Sequence, residues 1–409
     1  VSTVVEYLNI KCTSYNDNMI VQYVAKILEF TIPLMKSVSS SIIYSLEGSL
    51  TKLLLVSGQL VIHSSIACLA SAIRLSKNYA LIKEVFQRYY SFVIEYKDKS
   101  NINQAQLARS IYILGVLCKY FDFEKIEYED LQISIDKLFE LLIYFLQIND
   151  SMIQLKTLVA LGYFLQRYGH YLLDDPIRQI YHSYLVDSRS QTNQLRCQVL
   201  INLEDYFRDC IRRMAEQDIE YLQTTNEELK DTTDIHSEMA SSIAQCYLRV
   251  ILDTYLTNDE IIRQCVRKVV TCILNQGLVH PIQFIPYLIA MTTDHDINTQ
   301  QNAEQNLQDL DKTNPGIIQT KVIQGLKMSY QLQKLFSSSN IIIIRGMTKI
   351  TVQHLLNQQL PFCSINHFLY SLIRTSRVYR RGLINQLLKM FEQDSTNSIS
   401  LDEQLFVAD

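Results

Sequence analysis

The densest grouping of ligand-type and proton-carrying side chains is Asp294–His295–Asp296, a short distance after His280 and Pro281. Two carboxylates flanking an imidazole supply oxygen and nitrogen donors for a divalent metal, or a histidine base with acids to orient it. The stretch leading into the group, "LNQGLVHPIQFIPYLIAMTTD" (Leu274–Asp294), offers a different account of the same letters. Asn275 and Gln276 end one helix, with Gly277 placed to take a positive φ. His280 is then a turn residue, and Pro281 opens the next helix at its first position, where a missing N–H costs nothing. Pro286, one turn further in, kinks that helix. Asp294 falls where a turn meets a new helix, a common place for a capping carboxylate. We read the stretch as architecture.

Elsewhere the chemistry is thinner. The nine cysteines (12, 68, 118, 197, 210, 246, 265, 272 and 363) include no C-x-x-C pair. Several lie inside apolar helical runs, so they read as reduced, buried thiols rather than zinc ligands or disulfides. His170 and His182 are isolated from ligand spacing, and Asp174/Asp175 precede Pro176 in the manner of a helix start. No phosphate-binding glycine loop, dinucleotide fingerprint, H-E-x-x-H or G-x-S-x-G is present. We expect no enzyme active site, no metal and no cofactor.

Charge is where the sequence is unusual. The net charge is −4, yet between Lys312 and Phe391 there is no Asp or Glu and there are eleven Lys and Arg. The rest of the chain must then carry −15. Segregation of this kind suggests a surface for a polyanion or an acidic partner. "SLIRTSRVYRRGLINQLLKMF" (Ser371–Phe391) concentrates it. On one continuous helix Arg374, Arg377 and Arg381 share a face, with Arg380 beside them. Arginine is the residue suited to bidentate phosphate or carboxylate contacts. The competing account is a solvated face, or pairing with acids elsewhere such as Asp122–Asp136.

The elements that must carry these residues are helices in pairs. Only ten glycines and six prolines punctuate 409 residues, too few for a sheet protein. Apolar residues recur at helical period in Gln106–Tyr120, Met152–Gly169, Asn193–Ile211 and Glu260–Gly277. Each run places a basic residue ahead of its apolar stripe: Arg109, Lys156, Arg196 and Arg263. Gln301 holds the equivalent place in Asn298–Leu310, and Ile62–Ile73 is an earlier copy. A unit of about 40–47 residues built of two helices is the period of HEAT and armadillo repeats. The predicted fold is all-α, a HEAT-repeat α-solenoid of antiparallel helix pairs in a curved, hook-like superhelix. Such arrays present long surfaces to other macromolecules.

We expect HEAT repeats over 1–104 and 105–311, the second block holding an acidic insertion near 214–238 built as extended helix plus loop. Basic helical repeats follow over 312–392, then an acidic, unstructured tail over 393–409. No uninterrupted apolar run reaches the roughly 18 residues of a membrane span, and no membrane partner is expected. The chain starts at Val1 and reads as a piece of something longer.

Several long stretches, in order, carry a family resemblance. They are "YLNIKCTSYNDNMI" and "VAKILEFTIPLM" (within Tyr7–Met35), "LARSIYILGVLCKYFDF" (Leu107–Phe123) and the Leu274–Asp294 stretch. "GLKMSYQLQ" (Gly325–Gln333) and "LYSLIRTSRVYRRGLINQLLKMFE" (Leu369–Glu392) follow. Together they resemble the C-terminal HEAT region of the Nipped-B, or sister chromatid cohesion loader, family. The segments 214–238 and Ser337–Gln353 match only loosely. The resemblance implies a non-catalytic subunit that loads cohesin onto chromatin in the nucleus. It implies contact with the kleisin and with the ATPase heads of the structural-maintenance-of-chromosomes proteins, a grip on double-stranded DNA, and stimulation of cohesin's ATPase. The family's adaptor subunit binds an N-terminal region expected to lie outside this chain. Lys321, Lys327, Arg345, Arg374, Arg377, Arg380, Arg381 and Lys389 are the residues expected to meet DNA or an acidic partner. The alternative is another HEAT adaptor: a condensin-type subunit, a nuclear transport receptor or a phosphatase scaffold. The absence of any tryptophan and the basic end count against a transport receptor.

Overall fold

A computed structural model describes residues 2–10, 14–35, 39–98, 103–124, 134–187, 189, 192–224, 227–337, 345–349, 362–374, 376–391 and 400–409. The chain divides into two compact units, Val1–Tyr181 and His182–Asp409. The first holds α1 (Ser2–Glu6), α2 (Tyr15–Thr31), α3 (Ser40–Val56), α4 (Gln59–Ser76), α5 (Tyr79–Asp98), α6 (Gln104–Tyr120), α7 (Ile135–Gln147) and α8 (Ser151–Arg167). Helix α9 (Asp175–Val186) straddles the division and starts next to Pro176, as the Asp-Asp-Pro sequence predicts. The second unit holds α10 (Asn193–Thr224), α11 (Glu227–Thr254), α12 (Glu260–Asn275), α13 (Ile285–Met291) and α14 (Ile297–Thr313). It continues with α15 (Val322–Phe336), α16 (His367–Ile373), α17 (Arg377–Phe391) and α18 (Leu401–Ala408).

Within each unit the packing is that of a helical repeat. Sequence neighbours pack as pairs (α3 on α4, α5 on α6, α7 on α8, α10 on α11), and even helices pack on even helices up to α14, beyond which α15 packs on α13. Thus α4 meets α6, α6 meets α8, and α10 meets α12. The even helices hold the recurring basic positions, and four of them share at their starts a device invisible in the hydrophobic pattern. Asn103, Asp150, Asp259 and Asp296 cap α6, α8, α12 and α14, each accepting from backbone N–H groups of the first turn. An Asx oxygen there satisfies donors the helix itself leaves orphaned.

The inner helices are buried almost all round. In α6, residues 107, 108, 110–114 and 116–118 are all buried. Helix α4 is long and apolar enough to cross a membrane by length and composition, but two-thirds of it is buried among its neighbours. That is the signature of a core helix in a helical stack. Burial pushes the Cys68 thiol up to about 12 and raises Cys118 as well, in keeping with inert, reduced thiols.

The α6–α8 seam depends on one missing side chain. A Cβ on Gly115 would lie 2.5 Å from the carbonyl oxygen and 2.6 Å from the Cα of Ala160. Backbone cannot retreat as a flexible side chain does, so Gly115→Ala should cost about 1–3 kcal/mol despite alanine's better helix propensity. Gly48→Ala in α3 is the control, because nothing lies within 4 Å of its added Cβ. The urea midpoint should fall for the first variant and hold or rise for the second. Equal shifts would contradict a close seam.

A histidine cluster beside that seam makes stability depend on pH. His63 in α4 contacts Tyr120 Oη at 3.1 Å and packs against the Tyr120 and Tyr163 rings. Burial, then the charges of Lys119 and Lys26, push its pKa down from 6.5 to about 4. The unfolded chain binds this proton more readily than the folded one. The stabilisation is therefore complete above pH 6.5 and is lost as pH falls toward 4. It amounts to on the order of 1 kcal/mol per pH unit at most. Melting temperatures from pH 7 to pH 5 should fall more steeply for the native chain than for His63→Phe, and parallel curves would refute this.

Three features bear on the sequence expectations. The all-α expectation holds except for a short antiparallel ladder, β1 (Met347–Lys349) on β2 (Phe362–Ser364). The 214–238 insertion, expected as extended helix plus loop, is entered by α10 as far as Thr224 and by α11 from Glu227, and residues 225–226 lie outside the described residues. The tail, expected to lack structure, contains α18, capped by Ser400. It docks because Phe406 is 1 % exposed, edge-on to Tyr330 of α15. Residues 338–344 and 350–361 around the loosely resembling segment, and 125–133 of the acidic stretch, lie outside the described residues.

Candidate macromolecular interface

The Asp294–His295–Asp296 group has a structural role. Asp294 and Arg263 form an ion pair, 2.8 Å from Nε to Oδ2 and 3.3 Å from Nη2 to Oδ1, with both side chains almost fully buried. The Tyr255 hydroxyl and the Asp296 N–H also donate to this carboxylate, the latter at 3.0 Å. Burial, and then the Asp294 charge, raise the Tyr255 phenol well above its ordinary range. The Arg263 guanidinium also donates to the Thr257 carbonyl at 3.0 Å and lies 4.5 Å from the Phe336 ring centre. His295 stacks on the Phe336 ring at 4.2 Å. Asp294 is therefore not the helix cap. That role belongs to Asp296, which accepts from the N–H groups of Asn298 and Thr299 at 3.2 Å each. Asp294 instead turns inward to meet the buried guanidinium.

Gly277 has φ +64°, and His280 Nδ1 accepts from the Ile282 N–H at 3.3 Å, both as the sequence implies. Pro286 does not kink a continuous helix. Pro281–Gln283 is a separate 3-10 turn, and Pro286 lies in the first turn of α13. Two prolines five residues apart remove the donors a through-running helix would need, so the chain restarts instead.

The basic residues divide into spent and unspent. Arg345 is held by Asp409 through both carboxylate oxygens, with the Gly346 N–H donating to the same carboxylate at 3.2 Å. The Asp409 hydrogen bond raises its pKa, and Arg345 drops out of the candidate surface. Lys312 pairs with Asp309 at 3.1 Å. None of Lys321, Lys327, Arg374, Arg377, Arg380, Arg381 and Lys389 has an ion-pair partner among the described residues. Lys334, exposed on α15, joins them; it was visible in the acid-free block but lay outside the arginine-rich motif.

The four arginines do not lie on one helix. Helix α16 ends at Ile373 with Arg374 as its C-cap, and α17 starts at Arg377. The expected single face of Arg374, Arg377 and Arg381 is thus broken after Arg374. What remains is tighter: Arg377, Arg380 and Arg381, all exposed, crowd the start of α17. The 3-10 turn Ile318–Lys321 packs against this end, and Gln319 Nε2 donates to the Tyr379 carbonyl at 2.9 Å. That bond ties the turn carrying Lys321 to the turn carrying the arginines. Lys389 is exposed about two turns further along α17, while Lys321 and Lys327 are half-buried. The helix dipole opposes cations at this end, by about 0.3–1 kcal/mol each. No acidic residue occupies the first turn to offset them. Local stability therefore gives no reason for the cluster.

Comparisons with known proteins agree with the fold. Residues 240–409 match the family described as sister chromatid cohesion C-terminus. The chain is 34% identical over 421 residues to Nipped-B-like protein B of Danio rerio, with all of this chain and 14% of the relative covered. It is 33% identical over 420 residues to Nipped-B-like protein of Homo sapiens, covering all of the chain and 15% of that protein. Among solved structures, the C-terminal fragment of the Chaetomium thermophilum cohesin loader superposes with a TM-score of 0.76 at 14% identity. That match covers 99% of this chain and 29% of the other. The chain thus spans about one-seventh of the vertebrate relatives it matches. With a similarity that runs its full length and a helical solenoid common to both, the chain belongs to the Nipped-B family, whose C-terminal region it resembles.

Proposed function

We propose that this chain is part of a non-catalytic cohesin loader that acts in sister chromatid cohesion on nuclear chromatin. Its basic C-terminal surface meets DNA or an acidic face of cohesin. The carrying observation is the unpaired cluster of Arg377, Arg380 and Arg381 at the positive end of α17, joined to Lys321 through the Gln319–Tyr379 bond. A fold gains nothing locally from cations there, whereas an external anion gains both the guanidinium groups and the helix dipole. Lys327, Lys334, Arg374 and Lys389 extend the same potential. Val378, Ile384, Leu388 and Phe391 on α17 are also exposed, from 38% to 74%. Apolar residues beside arginines suit a protein surface as well as a phosphate backbone, which favours a composite of cohesin and DNA.

The test is capture of this chain by the kleisin with engaged ATPase heads, with and without duplex DNA. We expect retention that DNA strengthens, together with faster ATP hydrolysis by cohesin. Arg377→Glu, Arg380→Glu and Arg381→Glu combined should weaken both with an unchanged melting temperature. Full retention and full stimulation by that variant would sink the assignment of this surface.

A further inference from the structure

Arg196 on α10 holds the place that Arg109, Lys156 and Arg263 hold on α6, α8 and α12. Those three are all engaged: Arg109 donates to the Leu55 carbonyl, Lys156 to Gln59 Oε1 at 3.1 Å, and Arg263 to Asp294. On α14 the neighbouring Gln300, one residue before the expected Gln301, donates to the Asp294 carbonyl. Arg196 differs. It is 4% exposed, its Nε has no hydrogen-bond partner, and no ion pair reaches it among the described residues. The two carboxylates whose charge acts on it are committed elsewhere. Asp187 is held by Arg189, and Asp259 caps α12 while accepting from Asn193 at 2.7 Å. Burial accordingly lowers the Arg196 pKa, with Cys197, Asp187 and Asp259 acting in the opposite sense. A buried guanidinium without a carboxylate is a cost to the fold.

Arg196 lines a cavity of about 560 Å³, a volume in the range of small-ligand and side-chain pockets. His182, Leu185 and Val186 come from α9, and Cys246, Arg249, Val250, Asp253 and Thr254 from α11. The composition of this wall decides what fits. Leu185 and Val250 are apolar, and Val186 is 60% exposed. Arg249, 94% exposed in its side chain, pairs with Asp253 at 3.8 Å across one turn of α11. Asp253, which accepts from the Tyr287 hydroxyl, puts one fixed carboxylate in the lining. With Asp253 and Arg249 paired, Arg196 is the uncompensated charge in the lining, which matches one carboxylate on an apolar stem and falls short of a polyphosphate or a nucleic-acid strand.

We propose that this cavity receives a single acidic side chain, Asp or Glu, from a protein partner's peptide whose neighbouring residues are apolar, its carboxylate pairing with Arg196. Bidentate pairing is the geometry a guanidinium offers a carboxylate. The apolar flanks cover Val186 and Val250, beside the exposed Arg249–Asp253 pair. None of the cationic residues of the α17 surface takes part, so failure of that reading leaves this one standing, and the reverse.

The experiment is binding of the whole chain to an array of short apolar peptides, each with one central glutamate or aspartate. Each is matched by its glutamine, asparagine or phosphoserine counterpart, and inorganic phosphate is titrated separately. A subset of acidic peptides should bind about tenfold or more tightly than their amide counterparts. Arg196→Gln should abolish that preference. No acid-over-amide preference, or its survival in Arg196→Gln, overturns the proposal. Preference for the phosphoserine peptides or for phosphate over every carboxylate peptide assigns the cavity to another class and overturns it too. Arg196→Met guards against a merely structural role. Without peptide it should melt higher by about 2 °C or more, because an uncompensated buried cation has gone. A lower melting temperature would show that Arg196 anchors the fold, and would likewise overturn the proposal.

Discussion

Replacing Arg263 by methionine is expected to lower the melting temperature of the second unit by roughly 10 °C, a loss of about 3–5 kcal/mol. The size follows from what is left behind. Asp294 is 1% exposed, and the Tyr255 hydroxyl and the Asp296 N–H stay in place as donors but carry no charge. A buried carboxylate stripped of its cation keeps its full desolvation cost. The same substitution also removes the donor to Thr257 and the stacking on Phe336, loosening three chain segments at once. Arg263→Met with Asp294→Leu should recover most of the loss, since removing both charges leaves nothing unpaired. Calorimetry of the two variants decides it. A single variant that melts within about 2 °C of the parent would mean the pair is not load-carrying.

The second large effect is on DNA. If Arg377, Arg380 and Arg381 each neutralise one phosphate, changing all three to glutamine should reduce the slope of log affinity against log salt by about 2.7. Near physiological salt each lost counterion release is worth about fivefold, so affinity for duplex should drop roughly a hundredfold. The loss should be similar for unrelated sequences, because phosphate contacts carry no base information. Arg345→Gln should do far less, since Asp409 already holds that side chain. Titrations of duplex at several salt concentrations read both numbers. An unchanged slope in the triple variant would place the DNA contacts elsewhere.

Much of the architecture was legible because it is local. The 3.6-residue stripes on the even helices and the basic residue at the head of each could be counted from the letters alone. So could the acid-free block, since a missing residue type needs no structure to be seen. What could not be read was pairing across distance. Arg263 and Asp294 lie 31 residues apart on different elements, so Asp294 passed for a cap when Asp296 is the cap. The break between α16 and α17 carries no proline or glycine, so Arg374 was placed on a helix it only terminates. In α18, Asp402 and Glu403 mask an apolar residue whose partner, Tyr330, is far back in the chain. Arg196 looked like its three counterparts, and only the structure shows that it alone among them lacks a partner.

The glycine at the α6–α8 seam has a mechanical consequence. At Gly115 the helix surfaces meet on the backbone of Ala160, whereas Gly325 of α15 abuts the side chain of Ile289 on α13. Backbone against backbone has almost no travel before repulsion rises, but a side chain can rotate and give. The first seam should therefore resist sliding more than the second, where the nearest atom is the rotatable Cδ1 of Ile289. Strain applied along the second unit would be taken up at α13–α15, next to the elements that carry the free arginines.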